Sequence, residues 1–261
     1  MKHVATVAGR ELQSLFVSPV AYGVLSLFAV LAGFFFILGV AWFSDVVVRA
    51  QQFQAFDVLA DLNLNDRLIG EFYGSMSVVL LFLIPGITMG LFAAEKVQGT
   101  QELLLTSPLT IWDIVLGKFL AGALFVLLLV AVVGFYPGLL FFYGDPELGK
   151  TLSGLLGLLL VGWIYVAIGA FASSLTRSQV LAFLISFVLL LCLLLLPAIS
   201  ELGVAGGGAS VGAILSYLST NTHFEELVRG LVTTSDLVYF AVMIGTFLVL
   251  TKTAVETARW R

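Results

Sequence analysis

The residues best placed to do chemistry lie in one polar stretch between two long apolar runs: Glu95, Lys96, Gly99, Thr100, Glu102, Leu103, Thr106, Ser107 and Pro108. Gly99 can end one helix, because glycine tolerates the left-handed conformation that closes helices. Thr100 can cap a short helix through Thr106, its hydroxyl accepting from free N–H groups. Ser107-Pro108 punctuates, and Thr110 with Asp113 forms a capping box that starts the next helix through Ile111, Trp112 and Val115. The result is a helix–break–helix with Glu95, Lys96 and Glu102 facing water. Such an element is either a solvated connector or a docking surface for a soluble partner.

Other constellations carry less. Gly144-Asp145-Pro146-Glu147-Leu148-Gly149-Lys150-Thr151 matches the G-x-x-x-x-G-K-[ST] phosphate-loop pattern. That pattern needs a preceding strand and a following helix to aim N–H groups at phosphate. Here an apolar run precedes it, and Asp145 and Glu147 would repel phosphate, so it reads as a turn. His3 and His223 are far apart, and there is no H-E-x-x-H or G-x-S-x-G. His223, near Glu225 and Glu226, is read as part of a capped helix start in a wet loop rather than a metal or proton site. Cys192 sits in an apolar run as a small hydrophobe, leaving no intrachain disulfide framework. No catalytic residue, metal or bound cofactor is expected on this chain.

The elements that hold the polar stretch are apolar. The 261 residues are 60% hydrophobic and 11% charged, with a mean hydropathy of +1.11. Soluble domains carry about a quarter charged residues, so this is the composition of a polytopic membrane protein. Six segments approach the length a bilayer requires, about 20 residues: Val20–Phe43, Gly74–Ala94, Phe119–Tyr143, Leu152–Leu175, Val180–Ile199 and Leu237–Thr251. The last is short and is expected to extend through snorkelling of Lys252. Val211–Leu218 is too short to cross. Six spans with the N-terminus inside put eight Lys and Arg residues on the cytosolic side against four outside, and eleven acidic residues outside against five inside. That obeys the positive-inside rule and predicts both termini in the cytoplasm. A seventh span would break it.

Residues 1–19 read as an interfacial helix, with Val4, Val7, Ala8, Leu12, Leu15 and Phe16 on one face and Arg10, Gln13 and Ser14 opposite. Nothing in it resembles a cleavable signal. Glu11 is the exception near the apolar arc, either a boundary residue or a buried partner for a neighbouring cation. Ser18-Pro19 reads as N-cap and first-turn proline of the first span. Outside, Ser44–Tyr73 forms a loop with an amphipathic stretch at Phe53, Phe56 and Leu59. Residues 200–236 form a re-entrant hairpin on the outer surface, with Gly206-Gly207-Gly208 as a flexible run and Thr222 with Glu225 as a capping box. Pro85-Gly86 and Pro137-Gly138 are hinge candidates or static kinks. Gly86/Gly90, Ala29/Gly33 and Gly117/Ala121 are small pairs that permit close helix approach. The span interiors contain no Asp, Glu, Lys, Arg or His, which argues against an ion-driven carrier or a proton pump.

Glu95-Lys96, Gly99-Thr100, Glu102-Leu103-Leu104-Leu105-Thr106-Ser107-Pro108 and Leu116-Gly117-Lys118 resemble the signature of ABC-2-type permeases. Within these, the chain resembles the gliding-motility-associated subgroup, related to copper-maturation permeases. The likeness extends to Arg10-Glu11-Leu12, Ser18-Pro19-Val20-Ala21-Tyr22, His223-Phe224 and Arg259-Trp260-Arg261. Ala94 stands where a second acidic residue is common, and Val97 where a basic one is. The resemblance implies an all-α membrane protein: a single permease domain over 1–261 with six spans, an N-terminal interfacial helix, a cytosolic coupling helix within 95–118 and an outer re-entrant hairpin. It implies a permease subunit in the bacterial inner membrane whose loop seats in a separate cytosolic ATPase that binds ATP and Mg. Only about 60 residues fall on the cytosolic side, too few to hold such an ATPase as well as the connectors. A second permease chain, identical or not, would complete the pair, and nucleic acid is not an expected partner. Export is the expected role. The alternative is a mechanotransmission or scaffold subunit acting on an extracytoplasmic companion without moving a substrate.

Overall fold

The computed structural model describes residues 2–54, 63–100, 109–201 and 217–259. The amphipathic α1 (Lys2–Val17) ends at Ser18, whose hydroxyl accepts from the Val20 N–H at 3.3 Å, with Pro19 as the first residue of α2 (Pro19–Gln52). Proline has no N–H to leave unsatisfied there, so cap and proline set the elbow between the two helices together. A π-helical turn (Asn65–Ile69) leads into α3 (Gly70–Thr88) and then α4 (Gly90–Gln98). Next come α5 (Ile111–Tyr143), α6 (Leu148–Leu175), α7 (Gln179–Glu201), α8 (Thr220–Val228) and α9 (Thr234–Arg259). With the π turn, α3 and α4 counted as one, six helices are long and apolar enough to cross a membrane. The described residues contain no strand.

Several expected boundaries shift. The described residues of Ser44–Tyr73 are largely helical, because α2 runs on to Gln52 and the π turn begins at Asn65. The Asp45–Arg49 pair at 2.9 Å, one turn apart, supports that extension. Phe56 and Leu59 lie outside the described residues, as do Gly206, Gly207, Gly208 and most of Val211–Leu218. The last span does not stop near Thr251: α9 continues, and Lys252 pairs with Glu256 at 3.0 Å along it instead of snorkelling alone.

Helix α6 is the spine of the bundle. It packs against α3, α4, α5, α7, α8 and α9, and 67% of its most apolar stretch is buried, against 11% for α2. Glycine makes this crowding possible. A Cβ on Gly154 would lie 2.5 Å from the Tyr73 ring, one on Gly162 would lie 2.5 Å from Val126, and one on Gly169 would lie 2.0 Å from the Thr88 hydroxyl. Side chains of neighbouring helices therefore reach the α6 backbone more closely than a Cβ there would allow. Of the small residues singled out above, a Cβ on Gly117 would lie 2.6 Å from Val7 and one on Gly33 would lie 3.2 Å from the Tyr136 hydroxyl, whereas one on Gly86 would face open space.

At the end of the bundle remote from α1, the Gly144–Thr151 turn is held by Asn65. Its side chain accepts from the Glu147 N–H at 2.8 Å and donates to the Glu147 carbonyl at 3.1 Å and the Thr151 hydroxyl at 3.3 Å. Lys150 faces Asp66 and Glu147, at 3.6 Å each. The phosphate-loop match is thus a tied turn between two helices. The helix beside it, α8, starts earlier than expected. Ser219, not Thr222, is its N-cap, and Glu225 accepts from the Asn221 side chain at 2.8 Å. His223 is consequently not in a wet loop. It is buried, with Nδ1 2.7 Å from Asp236 Oδ1, Nε2 donating to the Tyr217 carbonyl at 3.0 Å, and its ring stacked on Tyr239. Phe224 and Leu227 join the main core, so α8 is packed into the end of the bundle.

The spine makes an unequal prediction for two glycines. Gly169→Ala forces the Thr88 contact apart and costs about 1–3 kcal/mol or more. Gly74→Ala, where a Cβ meets nothing within 4 Å, stabilises its helix by roughly 0.5–1 kcal/mol. Thermal unfolding of the detergent-solubilised protein measures both.

Candidate functional site

The loop anticipated at 95–118 is closed at its base by its own first and last residues. Lys118, in the second turn of α5, is 1% exposed, and its ammonium donates to Glu95 Oε1 at 2.8 Å, Glu11 Oε1 at 3.1 Å and the Leu91 carbonyl at 2.6 Å. Three protons meet three acceptors, which is what allows a lysine to stay charged away from water. Its Nζ also lies 5.3 Å from the centroid of the Phe92 ring. Arg10 sits at the rim, its guanidinium 2.8 Å from Glu11 Oε1 and 3.6 Å from Glu95 Oε1. The hydrogen bond with Glu11 raises the Arg10 pKa further above its ordinary value. Two cations and two carboxylates therefore pin α1, α4 and α5 to one point.

Local sequence explains how each group arrives there. Thr110 caps α5: its hydroxyl accepts from the Asp113 N–H at 3.2 Å while Asp113 Oδ2 accepts from the Thr110 N–H at 3.1 Å. That capping box fixes the start of α5 and so the height of Lys118. Gly99, at φ +70°, closes α4, and the Thr100 N–H reaches back to the Glu95 carbonyl at 3.1 Å in a Schellman arrangement. Glu95 is thus held by its backbone at the turn and by its side chain at the cluster. Gly117 allows Val7 of α1 to come in beside Lys118, which brings Glu11 within reach.

Glu95 and Lys96 were expected to face water, and they turn inward instead. Glu95 faces the cluster, and the Lys96 ammonium donates to the Ser174 carbonyl at the end of α6. Burial next to a fixed partner, a donor for Glu95 and an acceptor for Lys96, outweighs hydration for both, because each makes charge-assisted hydrogen bonds. Glu102, Leu103, Thr106, Ser107 and Pro108 lie outside the described residues.

The hinge candidates separate. Pro137 and Gly138 lie in an uninterrupted α5. Pro85 and Gly86 precede a local interruption of the ladder between α3 and α4, at Met89, which keeps helical φ/ψ and whose N–H still donates to the Pro85 carbonyl at 2.9 Å. Ser173 of α6 fills that break. Its hydroxyl donates to the Met89 carbonyl at 2.8 Å and accepts from the Phe92 and Ala93 N–H groups at 3.0 Å each. In a continuous helix the Ala93 N–H and Met89 carbonyl would bond directly, so the serine is inserted into the ladder. Ser173 and Lys118 both escaped the residue-by-residue reading. The only signals available were opposite charges at the two ends of the loop and Glu11 interrupting an otherwise apolar arc.

The cluster can be tested by burial. Lys118→Met leaves two carboxylates without their central cation and destabilises the protein by about 3–5 kcal/mol. Arg10→Gln, at a side chain 57% exposed, costs roughly 1 kcal/mol or less. Chemical unfolding in detergent, followed by circular dichroism, ranks the two.

The arrangement has no nucleophile–base pair, and the described residues hold no group of three metal-binding side chains. Its described residues form an ion cluster that joins α1, α4 and α5 at one end of a bundle of long apolar helices. A family model described as ABC-2 family transporter protein matches residues 5–256, which takes in α1, the ion cluster and all six long apolar helices. No curated protein matches the chain. The chain belongs to the ABC-2 family of transporter proteins, as a multi-pass membrane permease subunit of an ABC transporter.

Proposed function

We propose that this subunit is an exporter component driven through residues 95–118 by a separate cytosolic ATPase, which carries the ATP and Mg. Family membership implies an ATPase partner and a second permease chain, so the working unit has two of each. The observation that carries the reading is the base clamp. A push on the loop is not absorbed at its two ends, because Lys118, Glu95 and Glu11 join them to α1. Closure of the ATPase on ATP would then tilt α1, α4 and α5 together. The break at Met89 lets the α4 segment turn relative to α3, and Ser173 passes that motion to the spine.

In this reading the end carrying α1 is cytoplasmic, as the distribution of lysine and arginine supports, and the membrane is the bacterial inner membrane. Residues Glu102, Leu103, Thr106, Ser107 and Pro108 form the surface that meets the ATPase. Glu95, Lys96, Gly99 and Thr100 mount it. The loop residues resemble those of the gliding-motility-associated subgroup, and we place the chain there.

Co-expression with an ATPase subunit encoded beside it should yield a complex whose ATP hydrolysis is stimulated by the permease in vesicles. Gly99→Val, which strains a backbone at φ +70° by about 1–3 kcal/mol, should lower that stimulation without releasing the ATPase. Glu102→Lys should weaken association itself. A permease that never associates with an ATPase, or one fully stimulated in both variants, contradicts the proposal.

A further inference from the structure

Beside the ion cluster lies a cleft of about 580 Å³, within the range of sites that take small ligands, about 300–1,000 Å³. It separates the α1–α2 elbow from α4 and the last turn of α3. One end is charged, with Arg10, Glu11 and Glu95 on its wall. The other is apolar, with Val24, Ile87 and Phe125. Along its floor, Gly86 and Gly90 present bare backbone, and a Cβ at Gly86 would meet nothing within 4 Å. Val20 stands at the lip beside the first turn of α2, 66% exposed, so the cleft opens sideways toward the membrane.

The charged end is incompletely used. Lys118 spends its three protons on Glu11, Glu95 and Leu91. Both carboxylates engage through Oε1 alone, to Lys118 and Arg10. Each Oε2 accepts no hydrogen bond among the described residues, and neither is shut off from solvent, so both stay open to a donor that enters the cleft. Arg10, for its part, directs only Nη2 at these carboxylates and keeps further N–H groups of its planar fork for an anion.

We infer that the cleft binds an aminophospholipid from the leaflet that holds α1. Its ammonium lies between the Oε2 atoms of Glu11 and Glu95, its phosphate lies against Arg10, and one acyl chain runs over Gly86 and Gly90. The adjoining bilayer supplies that class of molecule, and the four charges of the cluster sum to zero, which suits a zwitterionic head. A phosphatidylglycerol head has no ammonium for the carboxylates, and a phosphatidylcholine head carries no N–H. The site stands independently of whether an ATPase drives the chain.

The test uses the purified permease alone, in phosphatidylcholine nanodiscs with a trace of photo-crosslinking phosphatidylethanolamine. Cross-links should map to Gly86–Gln98 and to α1, and unlabelled phosphatidylethanolamine should compete about tenfold better than phosphatidylglycerol. Gly86→Leu, which fills the floor, and Arg10→Gln, at an exposed helix position, should each lower this labelling about tenfold while labelling of the lipid-facing side of α2 stays constant. Equal competition by both lipids, or labelling unchanged in both variants, would show annular lipid only and overturn the inference.

Discussion

A lysine with 1% exposure is the constraint from which the α1 end of this bundle is built. An ammonium that deep is tolerated only when every proton has an acceptor and its charge is balanced. Lys118, on α5, obtains this from two other chain segments: Glu11 on the N-terminal helix, and Glu95 and Leu91 on the segment that precedes the loop. Neither carboxylate can move away without stranding the lysine, so the cluster ties α1, α4 and the start of α5 together. The local devices serve that geometry. The Ser18–Pro19 elbow aims α1, the Thr110–Asp113 box sets the height of Lys118, and the left-handed Gly99 turns the chain just beyond Glu95.

The second dependency runs through α6. A membrane bundle gains little from the hydrophobic effect between helices, so it relies on close packing and on polar groups that bridge helices. Helix α6 supplies both. Glycines at 154, 162 and 169 admit Tyr73, Val126 and Thr88, and Ser173 completes the interrupted ladder at Met89. The break below Pro85 is therefore not slack. Its free hydrogen bonds are held by Ser173 on the spine, which ties α4 to α6 through three named contacts. At the opposite end, the His223–Asp236 pair and the Asn65 bridge seat α8 and the α5–α6 turn. The two ends of the bundle are thus tied down by different chemistry.

What could be read in the sequence was what is decided locally. Caps at Ser18 and Thr110, the helix stop at Gly99 and the six apolar runs each depend on residues within a turn or two of one another, and the structure has them. The cluster was legible only as oddities, because Glu11 and Lys118 are 107 positions apart and meet through packing. Two local readings lost to tertiary context. Thr222 and Glu225 have capping-box spacing, yet Ser219 caps α8 because its helix begins where His223 can reach Asp236. Glu95 and Lys96 have the hydrophilicity of a solvated loop, yet each faces an acceptor or donor on another helix. Gly86 and Gly90 have the spacing that permits close helix approach, and within this chain they floor an open cleft. Spacing alone does not distinguish a helix contact from a binding groove.

The central claim is that the Lys118 cluster holds α1 and the base of the loop as one rigid piece. Spin labels at Gln13 on α1 and Gln98 at the end of α4, both exposed positions, report it directly through their distance distribution. With Lys118 intact the distribution should be narrow, and it should keep its centre when an ATPase and ATP are added. With Lys118→Met it should broaden or split. A broad distribution in the unaltered protein, or one that Lys118→Met leaves unchanged, would contradict the account.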